Sequence, residues 1–403
     1  MTGPLKLFYG NAVSGEQRFP RPDLEAEMLR LLEHSGGLKM FQLRRIGKST
    51  FRVFAEERMK QRGYAIVSVD AQGLRSPSQL LLSVFSQMPR QTNGFVDRVT
   101  QWAASDKILP NALWETLGAA LGGTVSQDRA AGDSIADYWP TISAQIVRAL
   151  REEGAKLLLT IDEFTYLLKN LMDDQGDRGR QQADNLLASL REWRAAGLKM
   201  VLTGSIGLLS LAREHKFSTE HLNDLSGFPI PPLDVAEARM FIQAAVAGEP
   251  DNIWTDAHTD AVLAETEVLY PAFLVKGLLS IGMRRPPEPF RIADIFATRV
   301  RPDLHDSFVR QLNDRFKRYR VMDGDYQRKL ILPVLRQIME AAQNGSTASS
   351  ITAPNEFRGI DVQDALAMLH EDGFVAYIDA RGGDRVWRAS SGLVTLWWRR
   401  AGL

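Results

Sequence analysis

The sequence predicts an α/β fold built on a parallel sheet, followed by a group of helices and a small helix–helix–hairpin unit. Three observations carry this. Short apolar runs alternate with helical patterns up to Ser205, the order that gives a parallel sheet. Two of those runs stop abruptly at polar residues, Asp162-Glu163 in "LLLTIDEF" and Thr203-Gly204-Ser205 in "VLTGS". The last ninety or so residues read helix, helix, alternating hairpin.

In chain order, "RPDLEAEMLRLLEHSGG" is an amphipathic helix with Leu24, Met28, Leu31 and Leu32 on one stripe, stopped by Gly36-Gly37. The run Leu38 to Leu43 is a strand. A helix follows Gly47, carries Phe51, Phe54 and Met59, and ends at Gly63. "YAIVSVDA" is rich in β-branched residues and reads as a buried strand. Residues 76–153 form a mostly helical insertion, with breaks near Pro110 and Gly122-Gly123. Lys156 to Asp162 is the next strand, "ADNLLASLREWRAAG" a helix, and "LKMVLTGS" the fourth strand. Phe228 to Leu233 is Pro-rich and is expected as a last strand at a sheet edge. These readings divide the chain into a core at 1–233, a helical region at 234–315 broken by "GEPDN" and "RRPPEP", and a tail at 316–403 with the hairpin around Gly382-Gly383.

The bulk numbers narrow the classes. The 403 residues are 44% apolar and 24% charged, a globular composition. Forty-nine basic residues balance forty-nine acidic ones, so nucleic-acid binding would need a local patch. The absence of cysteine excludes disulfides, thiolate metal sites and a cysteine nucleophile. The six histidines show no ligand spacing. There is no Gly-x-Ser-x-Gly elbow. Neither a secretory leader nor a bilayer-spanning run is evident, so a cytoplasmic location is expected.

The chemistry gathers in "FQLRRIGKST". A strand feeding a tight turn that opens a helix aims several backbone N–H groups at one point, and the helix dipole adds positive charge there. A phosphate suits that point. Gly47 allows close backbone approach, Lys48 reaches phosphate oxygens, and Ser49 offers a hydroxyl to Mg²⁺. Gln42 stands where such loops usually begin with glycine, at the strand side of the turn, so the change constrains the turn without deleting a phosphate donor. An ordinary strand–turn–helix would also read this way. The second constellation favours a nucleotide site. Asp162 and Glu163 end a buried strand, where ligands sit in open α/β sheets. Asp162 can hold Mg²⁺ through a water, and Glu163 can orient or deprotonate an attacking water. Thr203 or Ser205 ends another strand and can contact phosphate or that water; a plain polar terminus is equally open.

These segments, with "RFPRPDLEAEMLRLLEHSGGLKMFQLRRIGKSTFRVFAEE" and "VLTGSIGLLSL", resemble P-loop ATPases of the AAA+ and STAND group, in particular the archaeal-type ATPases. The resemblance implies an AAA+-like core, a helical lid, a C-terminal winged helix, and ATP or ADP with Mg²⁺. Arg44-Arg45-Ile46-Gly47-Lys48-Ser49-Thr50 matches the end of the family's phosphate loop, while Gln42-Leu43 departs from its start. By resemblance, Asp162 and Glu163 are the acid pair, Ser49 and Asp162 serve the metal, and Ser205 or Thr203 takes the sensor position. Arg21 and Tyr270-Pro271 lie where the family approaches the base. "HLNDLSGFPIPPL" lacks the family's arginine before the last strand, leaving Arg213 as the nearest candidate finger for a neighbouring copy.

A winged helix can enter DNA or pack on protein. The tail carries Lys317, Arg318, Arg320, Arg328, Lys329, Arg381, Arg385, Arg388, Arg399 and Arg400. Asp361, Asp364, Glu371 and Asp372 lie along or just beyond the helix that would enter a groove, where they would oppose phosphates. DNA and protein, including a second copy of the chain, therefore both stay open as partners. Trp387, Trp397 and Trp398 fit a core better than a stacking platform.

Overall fold

The computed structural model describes residues 4–10, 12–87, 129–154, 156–320, 322, 325–341, 344–354, 357, 359–379 and 385–402. The predicted breaks at Pro110 and Gly122-Gly123, the hairpin turn Gly382-Gly383 and the tail residue Arg381 lie outside them. The chain divides into two units. One holds Arg21–Phe41 and Phe51–Pro229; the other holds Met1–Pro20, Gln42–Thr50 and Ile230–Leu403.

The first unit is organised on a five-stranded sheet in the order β2-β3-β4-β1-β5, every pairing parallel. Its strands are β1 (Gly37–Phe41), β2 (Ala65–Asp70), β3 (Leu157–Asp162), β4 (Lys199–Gly204) and β5 (Leu225–Gly227). Helices before and between them are α1 (Pro22–His34), α2 (Lys48–Gln61), α3 (Pro77–Ser86), α4 (Arg129–Glu153), α5 (Phe164–Ala195) and α6 (Leu208–His215). Leu158, Leu159 and Ile161 of β3 are fully buried, as expected where both faces of a parallel sheet are covered. At Gly37, with φ 152°, an added Cβ would lie 1.8 Å from the Met200 carbonyl oxygen, so only glycine lets β1 run this close to β4. Two tryptophans fasten α4 to α5: Trp139 donates to Ser189 Oγ and Trp193 donates to Ser143 Oγ, each at 3.0 Å.

Two strand expectations need correction. β1 ends at Phe41, not Leu43, because the Gln42 and Leu43 carbonyls accept from the Lys48 ammonium instead of a neighbouring strand. The last strand is Leu225–Gly227, not Phe228–Leu233. Phe228 N–H still donates to the Lys39 carbonyl at 3.1 Å, but Pro229, Pro231 and Pro232 have no N–H to continue a ladder.

The second unit is helical at first. It contains α7 (Val235–Val246), α8 (Asp256–Glu265), α9 (Pro271–Ile281), α10 (Ile292–Ile295) and α11 (Arg301–Arg318), the last two joined through a π-turn at Phe296–Val300. A reciprocal capping box of Asp234 and Glu237 starts α7. Next come a second π-turn (Gln327–Ile331), α12 (Leu332–Ala341), β6 (Ser346–Thr347), α13 (Gly359–Glu371), β7 (Val375–Asp379), β8 (Arg385–Ala389) and α14 (Gly392–Ala401). The short strands form an antiparallel sheet in the order β6-β8-β7. Helix, helix and hairpin thus stand in the order the sequence predicts. Phe316, Phe374 and Trp397 form a ring cluster with centroids 5.0–6.1 Å apart, so Trp397 is core. Trp387 is buried against Tyr377 at 5.1 Å, and Trp398 is half-buried.

Candidate functional site

The carboxyl ends of β3, β4 and β1 finish level with one another. Phe41 pairs with Gly204, and Ile161 pairs with Leu202, which brings Asp162 beside Thr203. That is the end of a parallel sheet where ligands bind. Asp162 accepts through Oδ1 from the Thr203 hydroxyl and, at 3.0 Å, from the Glu163 N–H. Glu163 accepts through Oε2 from both the N–H and the hydroxyl of Ser205, at 2.9 and 2.7 Å. The sequence named these four residues separately; folding pairs each acid with one hydroxyl on the next strand. One Glu163 carboxylate oxygen is thereby fixed by two donors, which gives the group a set direction.

Glu163 also has left-handed dihedrals, φ 53° and ψ 35°, as it leaves β3 for α5. A glutamate there is uncommon, and such outliers gather at functional segments. Arg45 is another, at φ 67°.

Arg52 was not expected in this site. It stands one helical turn after Lys48 on α2. Its Nε lies 3.4 Å from Asp162 Oδ2, and its guanidinium also pairs with Glu56 at 2.5 Å and donates to the Ser68 hydroxyl. Glu56 in turn accepts from Thr160 Oγ1 at 2.5 Å. The acid at the end of β3 is therefore held between a neutral hydroxyl and a cation.

The loop Gln42–Gly47 joins β1 to α2 in the chain. Lys48 is buried, and its ammonium donates to the Gln42 and Leu43 carbonyls at 2.9 and 2.6 Å. A cation without bulk water needs such oxygens, or those of a phosphate, around it. Gln42 fills the usual glycine position productively: its Oε1 accepts from the Ile230 N–H at 3.0 Å. Arg44 N–H donates to Gln311 Oε1 of α11 at 3.0 Å. The Arg45 guanidinium bonds the Tyr9 hydroxyl and lies 5.1 Å from that ring's centroid. Thr50 Oγ1 accepts from Val13 N–H at 3.4 Å. Ile46 is buried, Gly47 has φ 109°, and Ser49 is half-buried on the first turn of α2. Gln311, like Arg52, carried no signal in the sequence, because its partner is distant in the chain.

The remaining candidates are dispersed. Arg21 is buried at the start of α1, with its N–H on Glu25 Oε1 at 2.9 Å. Pro271 is the first residue of α9. Arg213 is exposed on α6. Of the tail acids, Asp364 is exposed, Asp361 and Glu371 are half-buried, and Asp372 is fully buried. No cluster of three or more metal-ligating side chains occurs among the described residues. No helix among them is long and apolar enough to cross a membrane.

Among solved structures, the chain is similar to a Walker-type ATPase of Pyrococcus abyssi, with a TM-score of 0.51 and 16% identity over 97% of this chain and 98% of that one. The fold is that of a Walker-type P-loop ATPase. Weaker likenesses are to an ORC2 protein of Aeropyrum pernix solved with ADPNP and ADP, at TM-score 0.43, 16% identity and 98% and 96% coverage. A Cdc6 protein of Pyrobaculum aerophilum matches at TM-score 0.37 with 12% identity, over 96% of each chain. No family model and no curated protein matches. The AAA+-like parallel sheet with following helices is thus the architecture of this chain, as the P-loop ATPase resemblance implied.

Proposed function

We propose that this chain binds ATP and ADP through the loop Gln42–Thr50 and hydrolyses ATP slowly. One observation carries the reading: at the ligand-binding end of the sheet, Glu163 is already held by Ser205 and Asp162 by Thr203, level with the end of the strand that leads into the phosphate loop. Lys48 and the backbone N–H groups from Arg45 to Ser49 hold phosphate oxygens. Ser49 and Asp162 each supply a hard oxygen of the kind Mg²⁺ takes, one or two protein oxygens being enough because the ion keeps most of its waters. Bound Mg²⁺ would neutralise phosphate charge. Glu163 orients the attacking water or takes its proton, and Ser205 keeps that carboxylate aimed. Arg21 and Pro271 are candidates for the base, and the exposed Arg213 for a finger reaching a neighbouring copy. Nucleotide state in turn controls binding of a protein partner, a second copy or DNA through the C-terminal helices and hairpin.

The test is a titration of the purified chain with Mg-ATP and Mg-ADP, with phosphate release measured alongside. Wild type binds both and releases phosphate slowly. Lys48→Ala loses binding, while Glu163→Gln keeps binding and loses turnover. Wild-type affinity in Lys48→Ala removes the phosphate role; unchanged release in Glu163→Gln removes the base assignment. Nucleotide binding without phosphate release would leave a nucleotide-holding scaffold. A salt-sensitive DNA shift would favour a DNA-binding regulator.

A further inference from the structure

The phosphate loop touches more than its own strand and helix. On its strand side, Arg44 N–H donates to Gln311 Oε1 at 3.0 Å. The Gln311 carboxamide is oriented for this, because its Nε2 donates to the Ser307 carbonyl one turn back, at 3.4 Å. Next to Arg44, Leu43 is buried, and the backbone of Gly373 lies directly on it. A Cβ at Gly373 would stand 2.7 Å from Leu43 Cδ1, and the residue has φ 80°. Gly373 is the turn that ends α13 and opens β7, and its neighbour Asp372 leads back to α11. Arg315 donates to the Asp372 carbonyl at 2.6 Å, and the Tyr319 hydroxyl donates to Asp372 Oδ2 at 2.6 Å. Gln311, Arg315 and Tyr319 are spaced four residues apart and so fall on one stripe of the α11 helix and its cap. The contacts close a ring: Leu43, Gly373, Asp372, Arg315, Gln311, Arg44.

Lys48 ties this ring to the anion. Its ammonium is held by the carbonyls of Gln42 and Leu43, the same short segment that Gln311 and Gly373 grip. A phosphate draws the ammonium toward itself and competes with those carbonyls. Gln42 and Leu43 then lose a fixed partner on one side, while Leu43 keeps the α13–β7 turn and its neighbour Arg44 keeps α11 on the other.

We infer that Gln311 and Gly373 are positioning residues that couple phosphate occupancy of the loop to the α13–β7 turn, and so to the hairpin that follows it. The inference rests on the proposed nucleotide binding and adds the route by which that binding reaches the C-terminal unit. The energetics suit a switch. One neutral hydrogen bond and one close packing contact are each of a size that a ligand's differential binding can overcome. The Arg315–Asp372–Tyr319 cluster is buried and keeps turn and helix moving together.

The experiment is amide hydrogen exchange on the full chain, with and without saturating Mg-ADP, followed over residues 359–379. Nucleotide binding is measured by calorimetry on the same sample. In wild type, Mg-ADP changes exchange in that segment by roughly 5- to 150-fold, the range of ordinary coupling between sites. Gln311→Met removes the acceptor at similar volume and shrinks the response at saturating Mg-ADP. Gln311→Glu keeps an acceptor for Arg44 N–H and restores the response, which a purely structural role would not do. Gly373→Ala, forced against Leu43, shifts exchange in the segment before any nucleotide is added. If wild type binds Mg-ADP and the segment does not respond, the coupling is wrong and the nucleotide reading stands. If Gln311→Met responds like wild type, Gln311 is not the link. If calorimetry shows no Mg-ADP binding, both readings fall together.

Discussion

Asp162 ends β3 and Asp372 directly follows α13, and the chain treats them in opposite ways. The Asp162 side chain is 18% exposed; it takes the neutral Thr203 hydroxyl and meets Arg52 at 3.4 Å. Asp372 is fully buried, with Arg315 at 3.7 Å and the Tyr319 hydroxyl at 2.6 Å. The first acid stays partly exposed at the end of the sheet. The second is sealed with a cation that has nowhere else to go. In the sequence the first closes an apolar strand and the second follows an amphipathic helix. Each acid has a hydroxyl as a close partner and a cation a little farther off, so it is burial that sets the two apart.

Four measurements sharpen or break that contrast. The largest effect should come from Asp372→Ala, which leaves the Arg315 cation buried without its carboxylate. Loss of one partner of such a pair costs about 3–5 kcal/mol, read by urea unfolding, whereas Asp162→Ala should cost much less. Equal losses at the two positions would erase the distinction. Next, Ser205→Ala removes the hydroxyl donor on Glu163 Oε2 and leaves only the backbone N–H at that position, and should lower turnover, by up to about 100-fold if the carboxylate swings away, while stability changes little. Turnover at the wild-type rate would show that Ser205 does not aim Glu163.

A smaller effect is expected at Arg52. Replacing it with Met removes the cation beside Asp162, so half-saturation by Mg²⁺ should fall by roughly 2- to 5-fold, the size of a partly exposed ion pair. A rise would mean that Arg52 helps the metal. The smallest effect concerns His370, whose pKa is held below its ordinary 6.5 by burial, opposed by its hydrogen bond to the Val375 carbonyl and aided by nearby Arg385. Tyr377 and Trp387 cover its ring. With a depressed folded pKa, its contribution is fully present above 6.5 and is lost as pH falls through the folded value. His370→Gln should flatten stability against pH in that window, and an unchanged slope would assign the acid sensitivity elsewhere.

Much of the sheet was legible because parallel strands must be apolar on both faces. "LLLTIDEF" and "LKMVLTGS" announced β3 and β4 to within a residue or two. The four polar residues at their ends stood in the sequence only as candidates, since a polar strand terminus also occurs without any site. The last strand lies just before the Pro-rich edge segment Phe228 to Leu233 rather than within it, because the ladder depends on N–H groups that the prolines lack. Arg52, Gln311 and Gly373 could not be assigned, because their roles come from partners distant in the chain: Asp162, Arg44 and Leu43. Sequence periodicity reports which face a residue shares, not which distant atom meets it.

The departure at Gln42 carries a lesson for anyone redesigning the loop. In the stretch Pro229-Ile230-Pro231-Pro232, Ile230 owns the sole amide hydrogen, and the Gln42 carboxamide is where it is spent. Mutating Gln42 to the commoner glycine would make the motif look more regular and strand that hydrogen, so the two positions have to be edited as a pair.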